Sequence, residues 1–186
     1  MKQTLFAMLS ILLLASSAWA DRPQGAVREL DFHLSPRSPE QLAAFYSARG
    51  FPESAIKTLG RVCFLTVGMR NETGQIVWLE LDRWRITDTQ GRSVPRLTRT
   101  DWQQRWDDID LPAGNRATFN WTQLPEQRDL QPGEPVGGNL AILPPAGPFS
   151  LEVSFRTGAQ KTGAALKIKA DNLRCPTTDA SHGEQP

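Results

Sequence analysis

The stretch Phe149-Ser150-Leu151-Glu152-Val153-Ser154-Phe155-Arg156 alternates apolar and polar residues without a break. Side chains of a β-strand point alternately to opposite faces, so one face of this stretch is apolar and the other is polar. That pattern is typical of a strand with one face in a core and the other in water. A sheet and a core must therefore come from the rest of the chain.

The same two-residue period recurs before and after this stretch. Four apolar residues share one face of an earlier strand: Cys63, Leu65, Val67 and Met69. Polar residues at 71–74 form the turn that follows it. Further strands are predicted at 30–34, 76–81, 84–86, 92–94, 117–122, 136–143 and 166–170. Short strands separated by polar turns predict an all-β fold, an antiparallel sandwich of two sheets.

Two short helices are expected near the N-terminal end of this sandwich. Ser38 is followed by Pro39 at the first helical position and by Gln41 at the position that completes a capping box. Such a sequence is a typical helix start. A second short helix is predicted over 52–59, where it is closed by Gly60.

One inserted helix is expected between the strands at 92–94 and 117–122. Thr100 and Gln103 have the spacing of a capping box, and Pro112 is expected to stop the helix. Three apolar side chains fall on one helical face: Trp102, Trp106 and Ile109.

The first twenty residues have the pattern of a secretory signal peptide. Lys2 gives a basic start, an apolar run spans 5–15, and Ala18-Trp19-Ala20 has the form of a cleavage site. The division predicted is a signal peptide at 1–20, a single domain at 21–176 and a disordered tail at 177–186. The mature protein is expected in the periplasm, and no later segment is predicted to span a membrane.

The charges of the chain are balanced. It contains 21 basic and 20 acidic residues, and Lys2 is the single charged residue of the predicted signal peptide, which leaves 20 of each sign. A balanced domain has no general electrostatic attraction to nucleic acid or anionic lipid. Nucleic acid is therefore not expected among its partners.

The two cysteines, Cys63 and Cys175, are expected to form one structural disulfide. An oxidising compartment favours the pairing of an even number of cysteines. Neither residue belongs to a C-x-x-C motif, so a thioredoxin-like redox site is not predicted.

The sequence offers little material for catalysis or for metal binding. His33 lies on the polar face of a predicted strand, and His182 lies in the predicted tail. Asp107, Asp108 and Asp110 could act as paired carboxylates, but a solvated helix end is the competing interpretation. A Ser/His/Asp triad built on His33 is a further alternative. Without a catalytic or metal-binding motif, the chain is not expected to be an enzyme, and no metal or cofactor is predicted.

Tryptophan and arginine give the best indication of a binding surface, because both are enriched at interaction hot spots. Tryptophan also fills sandwich cores. Trp84 is expected in the core and Trp78 at a partly exposed site, while the two tryptophans of the inserted helix can pack that helix onto the sheet. Aspartates are interleaved with the arginines, so local neutralisation is an alternative to the binding of a partner's carboxylates. The candidate binding residues are Trp78, Arg92, Arg96, Arg99, Trp102, Arg105 and Trp106.

Several stretches between 62 and 155 share a recurring arrangement of strands and turns. They are Thr66-Val67-Gly68-Met69-Arg70-Asn71-Glu72-Thr73, Ile76-Val77-Trp78-Leu79, Trp84-Arg85-Ile86-Thr87-Asp88-Thr89-Gln90-Gly91, Leu130-Gln131-Pro132-Gly133-Glu134, Gly137-Gly138-Asn139-Leu140 and Phe149-Ser150-Leu151-Glu152-Val153. Together they resemble the immunoglobulin-like, telokin-like domains of bacterial extracytoplasmic proteins. The resemblance implies an immunoglobulin-like β-sandwich that binds other proteins or supports an assembly.

These observations predict a non-catalytic periplasmic domain that binds a protein partner or supports an assembly of the cell envelope. The expected surface comprises Trp78, the segment 92–105 and the inserted helix. The alternative is a small-ligand or glycan-binding module that uses surface tryptophan and arginine side chains.

Overall fold

The computed structural model of the protein describes residues 30–177. The predicted signal peptide at 1–20, the first residues of the predicted domain at 21–29 and the predicted tail from 178 to 186 lie outside the described residues.

Eight strands and four α-helices form within 30–177. The strands are β1 (Leu30–Arg37), β2 (Cys63–Asn71), β3 (Val77–Glu80), β4 (Arg85–Asp88), β5 (Gln127–Leu130), β6 (Pro135–Ile142), β7 (Phe149–Thr157) and β8 (Leu166–Leu173). The helices are α1 (Pro39–Ser47), α2 (Glu53–Leu59), α3 (Arg99–Asp107) and α4 (Ala113–Trp121).

The strands form two antiparallel sheets. The first has the order β1-β2-β6, and the second has the order β4-β7-β3-β5 with β8 paired to β7. The predicted antiparallel, β-rich fold is confirmed at this level. The four helices give the domain more helical structure than a sandwich with short N-terminal helices and one inserted helix.

The segment 117–122, predicted as a strand, is helical, and this prediction was wrong. Residues 113–121 form α4, so the insertion between β4 and β5 holds two helices. Only Phe119 of α4 is buried, so the alternation that suggested a strand does not reflect a buried sheet face. Arg116 also stabilises the turn between the helices, because its Nε donates to the carbonyl oxygen of Leu111 at 2.6 Å.

The apolar side chains form two cores on opposite faces of the first sheet. One lies between the two sheets and contains Leu65 and Val67 of β2 together with Leu151 and Phe155 of β7. The other lies between the helices and the far face of the first sheet, where Phe64 of β2 is buried. Neighbouring residues of a strand point to opposite faces, so β2 contributes to both cores.

A disulfide joins Cys63, the first residue of β2, to Cys175 after β8, with a Cα–Cα distance of 5.6 Å. The predicted pairing is confirmed. The loop that it closes spans 112 residues. The chain-entropy relation assigns a loop of that length about 4–5 kcal/mol. A structural disulfide is compatible with a location outside the cytoplasm. No helix among residues 30–177 has the length and apolar character needed to cross a bilayer.

Candidate functional site

Trp102 and Trp106, both predicted binding residues, belong to the interior. Their side chains are 3% and 2% exposed, and their rings stack with centroids 5.0 Å apart. Both also contact Phe119 of α4. As expected from the helical stripe, they pack α3 onto the fold. Their place in a binding surface has to be corrected, because a buried indole cannot contact a partner.

Of the four predicted binding arginines, Arg99 and Arg105 belong to α3, and the other two are neutralised locally. Arg92 pairs with Asp88 at 2.7 Å, and Arg96 pairs with Glu126 at 2.7 Å. Arg105 lies over the Trp102 ring, 5.9 Å from its centroid, and Arg99 is exposed. Arg96 and Arg99 line one small cavity of about 20 Å³. A volume of that size holds about one water molecule and no larger ligand.

Trp78 lies on β3, away from this cavity, and is half-buried. Its indole Nε1 donates to the carbonyl oxygen of Gly158 at 2.8 Å, and the Lys161 ammonium lies 4.3 Å from its ring centroid. These contacts hold the loop after β7 against β3. Trp84 is buried in the core between the sheets, as expected.

The carboxylate of Glu80 forms an ion cluster beside Trp78. It accepts a hydrogen bond from Nε of Arg156 at 2.7 Å and one from Lys161 at 2.8 Å, and only 6% of its side chain is exposed. The hydrogen bond from Arg156 is the main reason that the Glu80 pKa falls to about 2. Arg156 and Lys161 neutralise the Glu80 carboxylate within the cluster, and the cluster stabilises the fold.

The most exposed aromatic side chain described is Trp121, which was predicted to lie on a strand. It is the last residue of α4, and 89% of it is exposed. Phe45 of α1 is 39% exposed, and the Arg49 guanidinium carbon lies 3.5 Å from its ring centroid. Tryptophan is enriched at interfaces, and here a second exposed ring borders the same groove, so this pair of rings marks a candidate binding surface.

The two rings border an open groove of about 560 Å³ between α1, α4 and the first sheet. We call it the aromatic groove and define it by six of its lining residues: Arg37, Phe45, Thr66, Trp121, Gly137 and Asn139. Its floor is the far face of β2 and β6, beyond the part that the helices cover. On that face Thr66 lies opposite Asn139, and Gly68 lies opposite Gly137. The His33 ring covers Gly68, whereas no side chain lies within 4 Å of the position that a Cβ of Gly137 would take.

Polar side chains form one row along the groove. Arg37 donates from Nε to Thr66 Oγ1 at 2.8 Å, and Thr66 donates to Asn139 Oδ1 at 2.8 Å. The Tyr46 hydroxyl shares a hydrogen bond of 2.7 Å with Thr122 Oγ1, and burial raises the pKa of Tyr46. The phenol therefore stays neutral over the physiological range. Among the described residues, no aspartate or glutamate lines the groove.

Comparisons with known proteins identify no family for this chain. No protein-family model matches it, and no curated protein matches it. A structure of the yjhA protein from Bacillus subtilis is 16% identical, with a TM-score of 0.35 over 52% of this chain and 58% of that chain. A structure of ycdA from Bacillus subtilis subsp. subtilis str. 168 is 10% identical, with a TM-score of 0.35 over 60% of this chain and 29% of that chain. The chain thus spans less than two thirds of either protein, and TM-scores this low carry no inference.

The residues considered for catalysis are dispersed. The His33 ring lies over Gly68 on the first sheet, and His182 lies outside the described residues. Asp107 pairs with Arg116, and Asp108 accepts a hydrogen bond from Gln104 at 2.9 Å. Across residues 30–177, no group of three His, Cys, Asp or Glu side chains could hold a metal ion.

Proposed function

We infer that this protein is a non-catalytic periplasmic domain that binds a protein partner through the aromatic groove. The observation that carries the proposal is the 89% exposure of Trp121 at the border of the groove. The binding surface therefore differs from the one expected around α3, whose tryptophans are buried. The disulfide and the apolar segment at 5–15 support the assignment to the periplasm.

The indole of Trp121 can supply much of the free energy of binding. Burying a tryptophan side chain of about 200 Å² removes apolar surface worth about 5 kcal/mol, before the costs of association. Trp and Arg are the residue types that most often dominate binding energy in alanine scans. Trp121, Phe45 and Arg37 supply such groups around one concave surface.

We also propose that the two sheets have the immunoglobulin-like, telokin-like arrangement that the sequence resembles. Two antiparallel sheets with a shared core support this proposal. The helices packed on the far face of the first sheet are an addition to that arrangement, and they form one wall of the groove.

A small-ligand or glycan-binding module is the second candidate. It is favoured by an exposed indole beside the hydroxyl of Thr66 and the amide of Asn139, since pockets of this kind combine an apolar surface with a few placed polar groups. Titration with soluble cell-wall fragments separates the candidates. Saturable quenching of tryptophan fluorescence that is absent in Trp121→Ala would favour the glycan and count against a protein-only surface.

Photo-crosslinking in the cell that makes the protein tests the leading proposal. A crosslinking residue replaces Gln41 in the groove or, as a matched control, the exposed Gln90 in the turn after β4. We expect one protein, identified by mass spectrometry, to be captured from position 41 and not from position 90. Its capture should be lost in Trp121→Ala. Equal capture from both positions, or capture that survives Trp121→Ala, would overturn the proposal.

A further inference from the structure

We propose that the occupant of the aromatic groove is an extended, acidic peptide segment of the partner. Its backbone would pair with Gly137, an apolar side chain would contact Trp121 and Phe45, and a carboxylate would bind Arg37. This inference rests on the proposed function and specifies the chemistry of the partner.

A short stretch of the β6 edge is unpaired at Gly137. Asn139 of β6 accepts from Leu124 N–H at 3.0 Å and donates to the Thr122 carbonyl at 2.8 Å, while Ala141 accepts from Leu97 N–H at 2.8 Å. These odd-numbered residues of β6 direct their backbone groups away from β2. By the two-residue period, Gly137 directs its N–H and C=O the same way.

Gly137 has no hydrogen-bond partner on that side among residues 30–177. The segment 122–124 runs beside β6 at Asn139, where Gln123 makes a parallel bridge to it. The residues before Thr122 belong to α4, which does not run along β6. Asn139 is therefore the last residue of β6 paired on this side, and Gly137 is left unpaired. An exposed strand edge with a free donor and acceptor is the site at which an extended peptide adds to a sheet.

Gly137 also leaves the groove floor open, because glycine has no β-carbon. A Cβ at position 137 would lie 3.3 Å from the Val67 carbonyl oxygen and 3.9 Å from the Gly68 Cα, and no side chain would lie within 4 Å of it. The φ of Gly137 is not positive, so backbone conformation does not require glycine there. A glycine within a strand often marks a site where another backbone approaches closely.

The arginines beside the groove favour a negatively charged partner. Arg37 uses Nε for Thr66, and within the described part of the chain no carboxylate pairs with it. The guanidinium has five N–H donors, so most of them remain available to a ligand. Arg49, stacked on Phe45 and donating to the Phe45 carbonyl oxygen at 2.7 Å, likewise has no ion-pair partner among residues 30–177. A groove that is basic in a chain of balanced charge complements a carboxylate.

These three features fit a peptide better than a saccharide. One N–H donor and one C=O acceptor, both pointing outward from the same residue, match the spacing of a peptide backbone in a β-ladder. The ring surfaces of Trp121 and Phe45 then receive side chains from the face that the strand presents to the groove.

A displayed library of random linear peptides tests the inference with the intact protein. Selected peptides should be enriched in Asp or Glu together with a large apolar residue. In NMR titrations, they should shift the Gly137 amide and the Trp121 indole signals. Replacing the peptide's acidic residue by its amide should weaken binding about tenfold for the unaltered protein, and by much less for Arg37→Gln. Arg83→Gln, an exposed arginine outside the groove, is the matched control.

Gly137→Val tests the edge, because its side chain fills the floor while valine suits a strand. We expect it to reduce peptide affinity about tenfold with the thermal midpoint of unfolding retained. Selection of peptides without acidic residues, or equal affinity for Arg37→Gln and the unaltered protein, would overturn the inference. If crosslinking depends on Trp121 but not on Arg37 or Gly137, the proposed function stands and the acidic peptide is refuted. If crosslinking is independent of Trp121, the proposed function itself fails.

Discussion

Glu80 on β3 and Arg156 on β7 are paired side by side although 76 residues separate them in the chain. The carboxylate is buried, and it receives a second cation, Lys161, from the loop after β7. The pair lies beside the place where Trp78 is opposite Arg156 in the β3–β7 ladder. It therefore connects β3 to β7 at the point where their shared ladder is short.

The pH dependence of stability should report this pair. The Glu80 pKa is lowered from 4.5 to about 2 in the folded protein. A lowered carboxyl pKa stabilises the fold above the unfolded pKa, and this contribution is lost as the pH falls through the folded pKa. We expect the free energy of unfolding to drop by about 3 kcal/mol between pH 5 and pH 2 on account of this group.

Urea unfolding at a series of pH values measures that contribution. Glu80→Gln should be less stable at neutral pH and should lack this part of the acid dependence. Glu152→Gln, which changes an exposed glutamate of β7, is the control and should keep it. If the free energy of unfolding of Glu80→Gln depends on pH in the same way as that of the unaltered protein, the pair of Glu80 and Arg156 does not cause the acid dependence.

Substitution by alanine should lower stability by different amounts at the two adjacent glycines of β6. A Cβ at Gly138 would lie 2.4 Å from the backbone nitrogen of Leu124, whereas at Gly137 the nearest atom would be 3.3 Å away. Backbone cannot move aside as a side chain can, so we expect Gly138→Ala to cost about 3 kcal/mol. Gly137→Ala should change stability by less than about 1 kcal/mol, because the reduced entropy of the unfolded chain offsets the close contact. Chemical denaturation of both variants measures the difference, and similar losses would contradict the geometry at β6.

Alanine substitutions of two tryptophans on neighbouring helices should differ clearly in their effect on stability. Trp106 is buried and in contact with Trp102 and Phe119, so Trp106→Ala should cost about 3–5 kcal/mol. Trp121→Ala should change stability by less than about 0.5 kcal/mol, because the indole is exposed. Far-UV circular dichroism during urea unfolding follows both variants without depending on tryptophan emission. A large loss for Trp121→Ala would mean that its effect on binding could not be separated from folding.

The disulfide should contribute strongly to stability. The double substitution Cys63→Ala and Cys175→Ala opens a loop of 112 residues and is expected to cost about 4–5 kcal/mol. A reducing agent should lower the midpoint of thermal unfolding of the unaltered protein and leave that of the double variant unchanged. Equal sensitivity of the two proteins to reduction would contradict this assignment.

Strands with one buried face were predictable from the sequence, because burial and the two-residue period act on the same residues. The strand at 149–156 is the clearest example, and β7 extends over Phe149–Thr157. The capping box of Ser38 and Gln41 also forms as predicted. β5 was missed because Leu130 is its one buried residue, so its sequence has no alternating pattern.

The insertion was harder to predict because its helices are short and its cues overlap. The capping box of α3 is made by Thr98 and Asp101, two residues before the predicted pair of Thr100 and Gln103. An Asp at the third helical position serves the same purpose here as the usual Glu or Gln, so the helix start predicted from Thr100 and Gln103 lies two residues too late. α3 already ends at Asp107, and Pro112 is instead the residue that immediately precedes α4. Pro112 was the one available sign that a second helix follows.

The candidate site was not predictable because exposure depends on what packs against a residue. Trp102 and Trp121 are the same residue type on neighbouring helices, yet one is 3% exposed and the other 89%. Trp102 is covered because Phe64 of β2 and Phe119 of α4 reach it across the fold. No local pattern around Trp121 shows that α4 ends with its last side chain outside that core.

The disulfide also determines how a pulling force would travel through the molecule. Tension applied beyond Cys175 would pass through the sulfur bridge into Cys63 and hence into β2, the middle strand of the first sheet. β8 would not carry this force, so its hydrogen bonds to β7 would not break one after another. β2 is held on both sides by antiparallel ladders and carries Thr66 of the groove floor. A load on the C-terminal end of the fold would therefore act first on the sheet that carries the groove.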